Sequence, residues 1–240
     1  MAAILADACG QDTYEDIAIE LEERRVGPLR QRLHNVGVEG ALYWVCCFSV
    51  NQHSCICGGF GPEPESPTSR TKWEESRKDT ITGEHYTLCE CGQRKFFNAT
   101  DPVECELNKF DDMLAVLASS ADFVQVIAID EAFSLFGRVW CLAEIAEAHA
   151  LGSAQRCVVC NRESIDKEYS RLRVLDVRDS EASRPEDKAD ILARIPDLDH
   201  FSESLQEIAF GADGLLGSWM DSREELMHIG KVLRRSRSVQ

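Results

Sequence analysis

Two Cys-x-Cys pairs offer the most specific chemistry in the sequence. Cys55-Ile56-Cys57 and Cys89-Glu90-Cys91 flank a polar insertion. Thiolates and imidazoles are ligands that suit Zn²⁺, and a structural zinc site takes four of them in a tetrahedron. The spacing therefore predicts one structural zinc ion, bound by Cys55 or Cys57 together with Cys89 and Cys91. The candidate ligands, with those that would complete the shell, are His53, Cys55, Cys57, His85, Cys89, Cys91 and Cys105.

The alternative is a set of free cysteines, because zinc knuckles usually separate their cysteines by two residues. Five cysteines are expected to be small buried apolar residues, and one of them, Cys105, is also a candidate to complete the zinc shell. They are Cys46, Cys47, Cys105, Cys141 and Cys157.

A second candidate lies in the stretch RVWCLAEIAEAH, residues 138–149, which has the period of an amphipathic helix. Glu144 falls on the arc predicted to face the core, one turn after Trp140. A carboxylate there is a candidate catalytic group, and Trp140 a candidate wall against which a ligand ring stacks. The alternative is a structural glutamate that pairs with an arginine or caps a neighbouring loop. The other members of this arc are Cys141, Ile145, Ala148 and Leu151.

Polar residues follow three apolar runs that have the composition of buried strands. The runs cover 41–50, 122–130 and 156–160, and they lead into Asn51-Gln52-His53, Asp130-Glu131 and Asn161-Arg162. Ligands bind beyond the carboxyl ends of parallel strands. Asn51, Gln52 and Asp130 are therefore candidate ligand-binding residues, and His53 is a candidate acid–base or metal-binding group. The alternative at Asn51 is a turn that its side chain stabilises. We expect Glu144 to point towards the crevice near Asn51.

Helical patterns alternate with these runs. They predict a surface helix over 14–35, an exposed insertion over 58–83, a helix start at 101–104 and a helix stop at Gly152. A fourth strand is predicted over 172–179. A helix opened by Ser183 and Glu186 runs through Ile195, and further helices surround Leu205, Ile208 and Leu226.

This alternation predicts an α/β fold, a mainly parallel sheet flanked by helices. We divide the chain into an N-terminal helical segment at 1–40, an α/β domain at 41–180 and a C-terminal helical region at 181–240. The Cys-rich insertion occupies 53–105 within the α/β domain.

Charge and missing motifs exclude several classes of function. The net charge of -16 disfavours binding to nucleic acid or to an anionic membrane. No apolar run reaches the roughly 20 residues of a membrane span. The N-terminus lacks the basic region of a signal peptide, which favours a cytoplasmic, reducing location. No nucleophile elbow, Walker loop, kinase signature or dinucleotide fingerprint is present, so the usual hydrolases and nucleotide-phosphate enzymes are disfavoured.

Two motifs resemble a known family. Residues 44–52, WVCCFSVNQ, are similar to the W-I-D-A-L-C-I-N-Q signature of heterokaryon-incompatibility (HET) domains, with Cys46 in place of the aspartate. Residues 138–144, RVWCLAE, resemble the R-x-W-x-x-Q-E helix of that family, with Ala143 in place of the glutamine. The same residues are similar to the W-C-L-x-E-L helix of Toll/interleukin-1 receptor (TIR) domains, which are distant relatives of HET domains.

The resemblance covers roughly residues 41–160. It implies a HET/TIR-like domain for signalling or self-recognition through protein partners or self-association. In enzymatic TIR domains the glutamate of the matching helix is needed to cleave NAD, and Glu144 stands at that position. The alternatives are therefore an NAD nucleosidase that uses Glu144, with NAD as substrate, and a zinc-stabilised scaffold without catalytic activity.

Overall fold

A computed structural model describes residues 1–45, 51, 53, 63–78, 83–86, 88–89, 94, 96, 100–101, 103–106, 109–182, 185–211, 214–217 and 219. Within these residues the fold is mixed α/β, with nine α-helices, two short 3-10 helices and a two-stranded parallel sheet. The elements are α1 (Ala2–Ala8), α2 (Glu15–Glu22), α3 (Val26–Val36), α4 (Pro67–Ser76), α5 (Lys109–Ala118), β1 (Val124–Ile129), α6 (Val139–Ala150), β2 (Ala154–Val159), α7 (Arg162–Leu172), α8 (Pro185–Arg194) and α9 (Leu198–Phe210). The 3-10 helices are Ser134–Gly137 and Val177–Asp179.

The centre of the fold is a β1–α6–β2 unit. The two strands pair in parallel from Val124 opposite Ala154 to Ile129 opposite Val159. The helix between them ends at Ala150, and Gly152 follows with a φ of 70°, a conformation that glycine adopts without steric cost. The strands expected at 122–130 and 156–160 and the helix between them are therefore confirmed.

The N-terminal segment pairs with the outer edge of β2. Thr13 forms a parallel bridge to Val159, whose N–H donates to the carbonyl of Asp12 at 2.9 Å. By contrast, residues 41–45 form no strand. The rest of the strand expected at 41–50 lies outside the described residues. In the described part of the chain, residues 12–14 thus take the position beside β2.

Both faces of the sheet are covered, as a parallel pair requires. Successive side chains of a strand point to opposite faces. Accordingly, Ile127 and Ile129 belong to the larger core, which includes residues of α6, α8 and α9, whereas Val158 belongs to a smaller core with residues of α1, α2 and α3. The helices after residue 181 therefore share one core with the sheet.

Three predicted elements differ from the structure. The helix expected over 14–35 is two helices, because the chain turns at Arg24 with a φ of 57°. The strand expected over 172–179 is wrong: Leu172 ends α7, and Val177 begins a 3-10 helix. Both side chains are buried, at 1% and 0% exposure, so their apolar character reflects burial of a helix end and a connection.

The insertion expected to be exposed over 58–83 contains a helix, α4. Its Trp73 is 8% exposed, and the guanidinium of Arg77 lies 4.3 Å from the indole ring. The helix start expected at 101–104 is a turn, closed by a 2.8 Å bond from the N–H of Cys105 to the carbonyl of Asp101. The helix itself begins at Lys109.

A buried carboxylate joins three parts of the chain. The side chain of Asp7, in α1, is 3% exposed, and its Oδ1 lies 2.5 Å from Nη2 of Arg156 in β2. The hydroxyl of Tyr43 donates to Oδ2 at 2.7 Å. Burial, reinforced by this bond, raises the pKa of Tyr43 to about 12. Asp7 thus attaches α1 and the segment around Tyr43 to the sheet.

We predict that Asp7→Ala lowers the free energy of unfolding by about 2–3 kcal/mol, because it removes the ion pair with Arg156 and the hydrogen bond from Tyr43, both made by a buried carboxylate. The matched control is Asp12→Ala. Asp12 pairs with Arg162 at 2.6 Å, but its side chain is 64% exposed, so the loss should stay below about 1 kcal/mol. Urea unfolding of both variants measures the difference, and equal losses would contradict the assigned role of Asp7.

Candidate functional site

A polar cavity lies between the carboxyl end of β2 and the N-terminal segment. Asp130 and Glu131 follow β1, and Cys160, Asn161 and Arg162 follow β2. The cavity measures about 250 Å³, and we call it the carboxyl-edge cavity. Its described lining residues are Gln11, Thr13, Glu15, Asp16, Cys160, Asn161, Arg162 and Glu163.

The polar side chains at the carboxyl ends of the strands form hydrogen bonds to nearby backbone groups and ion pairs or hydrogen bonds with one another. Oδ1 of Asn161 accepts from the N–H of Ser164 at 2.9 Å and so caps α7, while Nδ2 donates to Glu15 at 2.9 Å. Oδ1 of Asp130 accepts from the N–H of Ser134 at 2.7 Å. Lys167 pairs with Glu131 at 2.9 Å. The structure therefore gives Asp130, a predicted ligand-binding residue, a turn-forming bond.

Tyr14 and Cys160 meet at the same edge. The Tyr14 hydroxyl donates to the carbonyl of Ile129 at 3.0 Å. Burial raises the pKa of Tyr14 to about 12, and Cys160 and Asp130 act in the same direction. Burial, with the nearby carboxylates of Glu15 and Glu131, also raises the pKa of Cys160. Cys160 is therefore a protonated thiol at neutral pH and a weak nucleophile.

Neither Tyr14 nor Cys160 was a sequence candidate. Cys160 ends the apolar run at 156–160, and this position at the carboxyl end of a predicted strand could have identified it as a candidate site residue. Tyr14 lies in a segment predicted to be helical, and only the pairing of Thr13 with Val159 brings it to the sheet edge.

A larger cavity lies between three helices. It measures about 530 Å³, and its walls come from α6, α8 and α9. We call it the helical groove. Its described lining residues are Trp140, Ala143, Glu144, Ala146, Glu147, His149, Ala150, Ile191, Arg194, Ile195, Phe201, Ser204 and Ile208.

Glu144 and Trp140 both line the helical groove. Glu144 is half-buried and lies on the flank of α6. The arc predicted to face the core is partly wrong, because Val139 and Leu142 are fully buried whereas Leu151 is 40% exposed. Val139 and Leu142 belong to the same core as residues of the sheet, whereas Trp140 and Glu144 line the groove together with residues of α8 and α9. Asn51 is not among the described residues of the groove.

Two of the predicted zinc ligands lie close together. Nδ1 of His53 is 3.4 Å from Sγ of Cys89. Cys55, Cys57 and Cys91 lie outside the described residues, as does Gln52. His85 forms an isolated bridge with Lys78, and Cys105 is 2% exposed. Within the described residues, no three histidine, cysteine or acidic side chains form a metal-binding group. The zinc ion therefore stays a prediction.

Asn51 stabilises a local turn, which was the alternative to a ligand-binding role in the sequence analysis. Its Oδ1 accepts from the N–H of His53 at 3.1 Å, and its own N–H donates to a carboxylate oxygen of Glu106 at 2.6 Å. These contacts place the exposed Asn51 and His53 in one turn beside the segment that contains Glu106.

No disulfide joins the cysteines of the described part, which are Cys9, Cys89, Cys105, Cys141, Cys157 and Cys160. Cys105 and Cys157 are buried as expected, and Cys141 is half-buried. Burial raises the pKa of Cys157 to about 12, so this thiol is inert at neutral pH. Cys46 and Cys47 lie outside the described residues.

Comparisons with protein-family models, with curated proteins and with solved structures find no match for this chain. None of the helices in the described part has the length and apolar composition needed to cross a bilayer.

The raised pKa of Tyr14 predicts an alkaline stability effect. A folded pKa of about 12 against an unfolded value of 10.0 gives stabilisation that is complete below about pH 10 and is lost as the pH rises through about 12. Tyr14→Phe should therefore make the free energy of unfolding fall less steeply over this interval. Urea unfolding across the pH series measures both slopes, and identical slopes would refute the assignment.

Proposed function

We propose that this chain is a HET/TIR-like signalling or self-recognition domain, which acts by binding a second copy of itself at the helical groove. The observation that carries the proposal is the apolar lining of that groove between α6, α8 and α9. The parallel β1–α6–β2 unit and the W-C-L-x-E sequence on α6 support the HET/TIR-like assignment.

The floor of the groove has the character of a protein interface. Trp140, Ile195 and Phe201 are each only half-buried, and all three line it. Apolar surface gathered in one concave site and bordered by polar groups marks a binding surface in soluble proteins. Aromatic side chains in particular are enriched at the centres of such interfaces.

The rim of the groove supports a second copy of the chain as the occupant. Glu147 on α6 and Arg194 at the end of α8 are both exposed, and within the described residues neither has a recorded ion-pair partner. In a two-fold dimer whose axis passes between these two side chains, Glu147 of one copy would meet Arg194 of the other, and the same contact would form twice. A rim with both signs of charge is therefore complementary to itself.

A charge exchange tests this contact. We predict that Glu147→Arg and Arg194→Glu each weaken self-association by about tenfold or more, because each puts like charges together twice. The double variant should restore association, since the pairs form again with reversed polarity. Sedimentation equilibrium measures the dissociation constants. Glu22→Arg, an exposed change on α2, is the matched control and should leave association unchanged apart from its effect on net charge.

Two outcomes would overturn the self-association. One is a wild-type chain that stays monomeric throughout the concentration series, which would leave the groove to a different protein or to a small ligand. The other is a double variant that associates no better than the single variants, which would place the dimer contact elsewhere.

A second function is favoured by the same groove. Its volume of about 530 Å³ falls within the roughly 300–1,000 Å³ of small-molecule sites. Glu144 and Trp140 lie one helical turn apart on its wall. A half-buried carboxylate there is suited to stabilise positive charge that develops on a ribose when the nicotinamide–ribose bond of NAD breaks, with the indole against a ring. We propose this NAD nucleosidase activity as the alternative.

Glu144→Gln decides between the two roles of Glu144. If the site cleaves NAD, the wild type releases nicotinamide, and the variant loses turnover with an almost unchanged melting temperature. Glu203→Gln, an exposed change on α9 that does not line the groove, should retain activity. If the wild type releases no nicotinamide under conditions where it self-associates, the enzymatic role fails. A stability loss of about 3 kcal/mol or more in Glu144→Gln would then assign the residue a structural role.

A further inference from the structure

The contact between His53 and Cys89 joins two points 36 residues apart, one before and one after α4. Nδ1 of the imidazole and Sγ of the thiol are 3.4 Å apart. We propose that these two side chains are ligands of one structural zinc ion, which closes the Cys-rich insertion. This proposal is independent of the self-association and of any NAD chemistry at the helical groove.

The separation of the two atoms fits a shared tetrahedral metal. Zinc lies about 2.3 Å from a thiolate sulfur and about 2.0–2.1 Å from an imidazole nitrogen. At a tetrahedral angle, these bond lengths place the sulfur and the nitrogen about 3.5 Å from each other. The observed 3.4 Å is therefore the edge of such a tetrahedron to within about 0.2 Å.

The neighbouring sequence offers candidates for the remaining ligands. Cys55 follows His53 by two residues, and Cys91 follows Cys89 by two. Both lie outside the described residues, and their participation is a prediction from the sequence. The resulting set would be His53, Cys55, Cys89 and Cys91, a Cys₃His set typical of structural zinc.

The described residues of the insertion bury few apolar side chains. Between residues 51 and 106, the described apolar side chains that are buried are Trp73 and Cys105, and neither belongs to the two main cores. The apolar surface that these two side chains bury is small against the conformational entropy lost when a segment of this length becomes ordered. A structural zinc ion contributes its binding free energy to folding, because the site does not exist in the unfolded chain.

Metal content is the first test. The full chain, purified without chelator from a zinc-supplemented culture, should contain about one zinc per chain. Cys89→Ser and His53→Gln should each lower zinc affinity by more than the 10–100-fold typical of outer-shell changes, because each removes a direct ligand. The matched controls are Cys9→Ser, a half-buried thiol, and His34→Gln, an exposed imidazole, and both should retain the metal.

Cobalt(II) provides a readout that does not depend on a variant folding. Added to chelator-treated wild-type protein, it should give the thiolate-to-cobalt charge-transfer band and the intense visible bands of a tetrahedral site, and zinc should displace it. Cys89→Ser should weaken the charge-transfer band, and His53→Gln should shift the visible bands. A wild type that is folded, metal-free and without a cobalt–thiolate band would overturn the proposal. Wild-type zinc affinity in both variants would overturn the assignment of His53 and Cys89.

Discussion

The parallel pairing of β1 with β2 is the constraint on which the remaining architecture depends. Two adjacent parallel strands need a connection that returns the chain to the starting edge, and α6 provides it. Such a pair must also be buried on both faces. Helices α6, α8 and α9 pack against one face, and α1 and α2 pack against the other. The helical groove lies where α6, α8 and α9 meet without filling the space between them.

The strand ends and the helical groove differ in whether their side chains already have partners. At the carboxyl ends of the strands, Asn161 caps a helix, Asp130 stabilises a turn and Glu131 forms an ion pair, so these groups already stabilise the fold. In the helical groove, apolar surface of Trp140 and Phe201 remains in contact with solvent. Covering apolar surface is favourable by about 25 cal/mol per Å². For this reason the groove, rather than the strand ends, carries the proposed function.

The described residues of the insertion bury fewer apolar side chains than the sheet and its helices do. The main cores are stabilised by the burial of many apolar side chains, whereas the segment around α4 buries Trp73 beneath Arg77 and little else that the structure describes. If zinc binds there as proposed, its coordinate bonds would stabilise this segment, and its loss would affect the insertion before it affects the sheet.

The sequence by itself determined the elements whose signals are local. The apolar runs at 122–130 and 156–160 predicted β1 and β2, the helical period predicted α6, and Gly152 marked its end. Tertiary structure decided what depends on distant partners. The apolar residues Leu172 and Val177 led to the prediction of a strand. A buried helix end and a buried strand both favour apolar residues, so the composition does not distinguish them. The side of α6 that faces α8 and α9, the pairing of Thr13 with Val159 and the approach of His53 to Cys89 also join residues far apart in the chain, and no local pattern encodes such contacts.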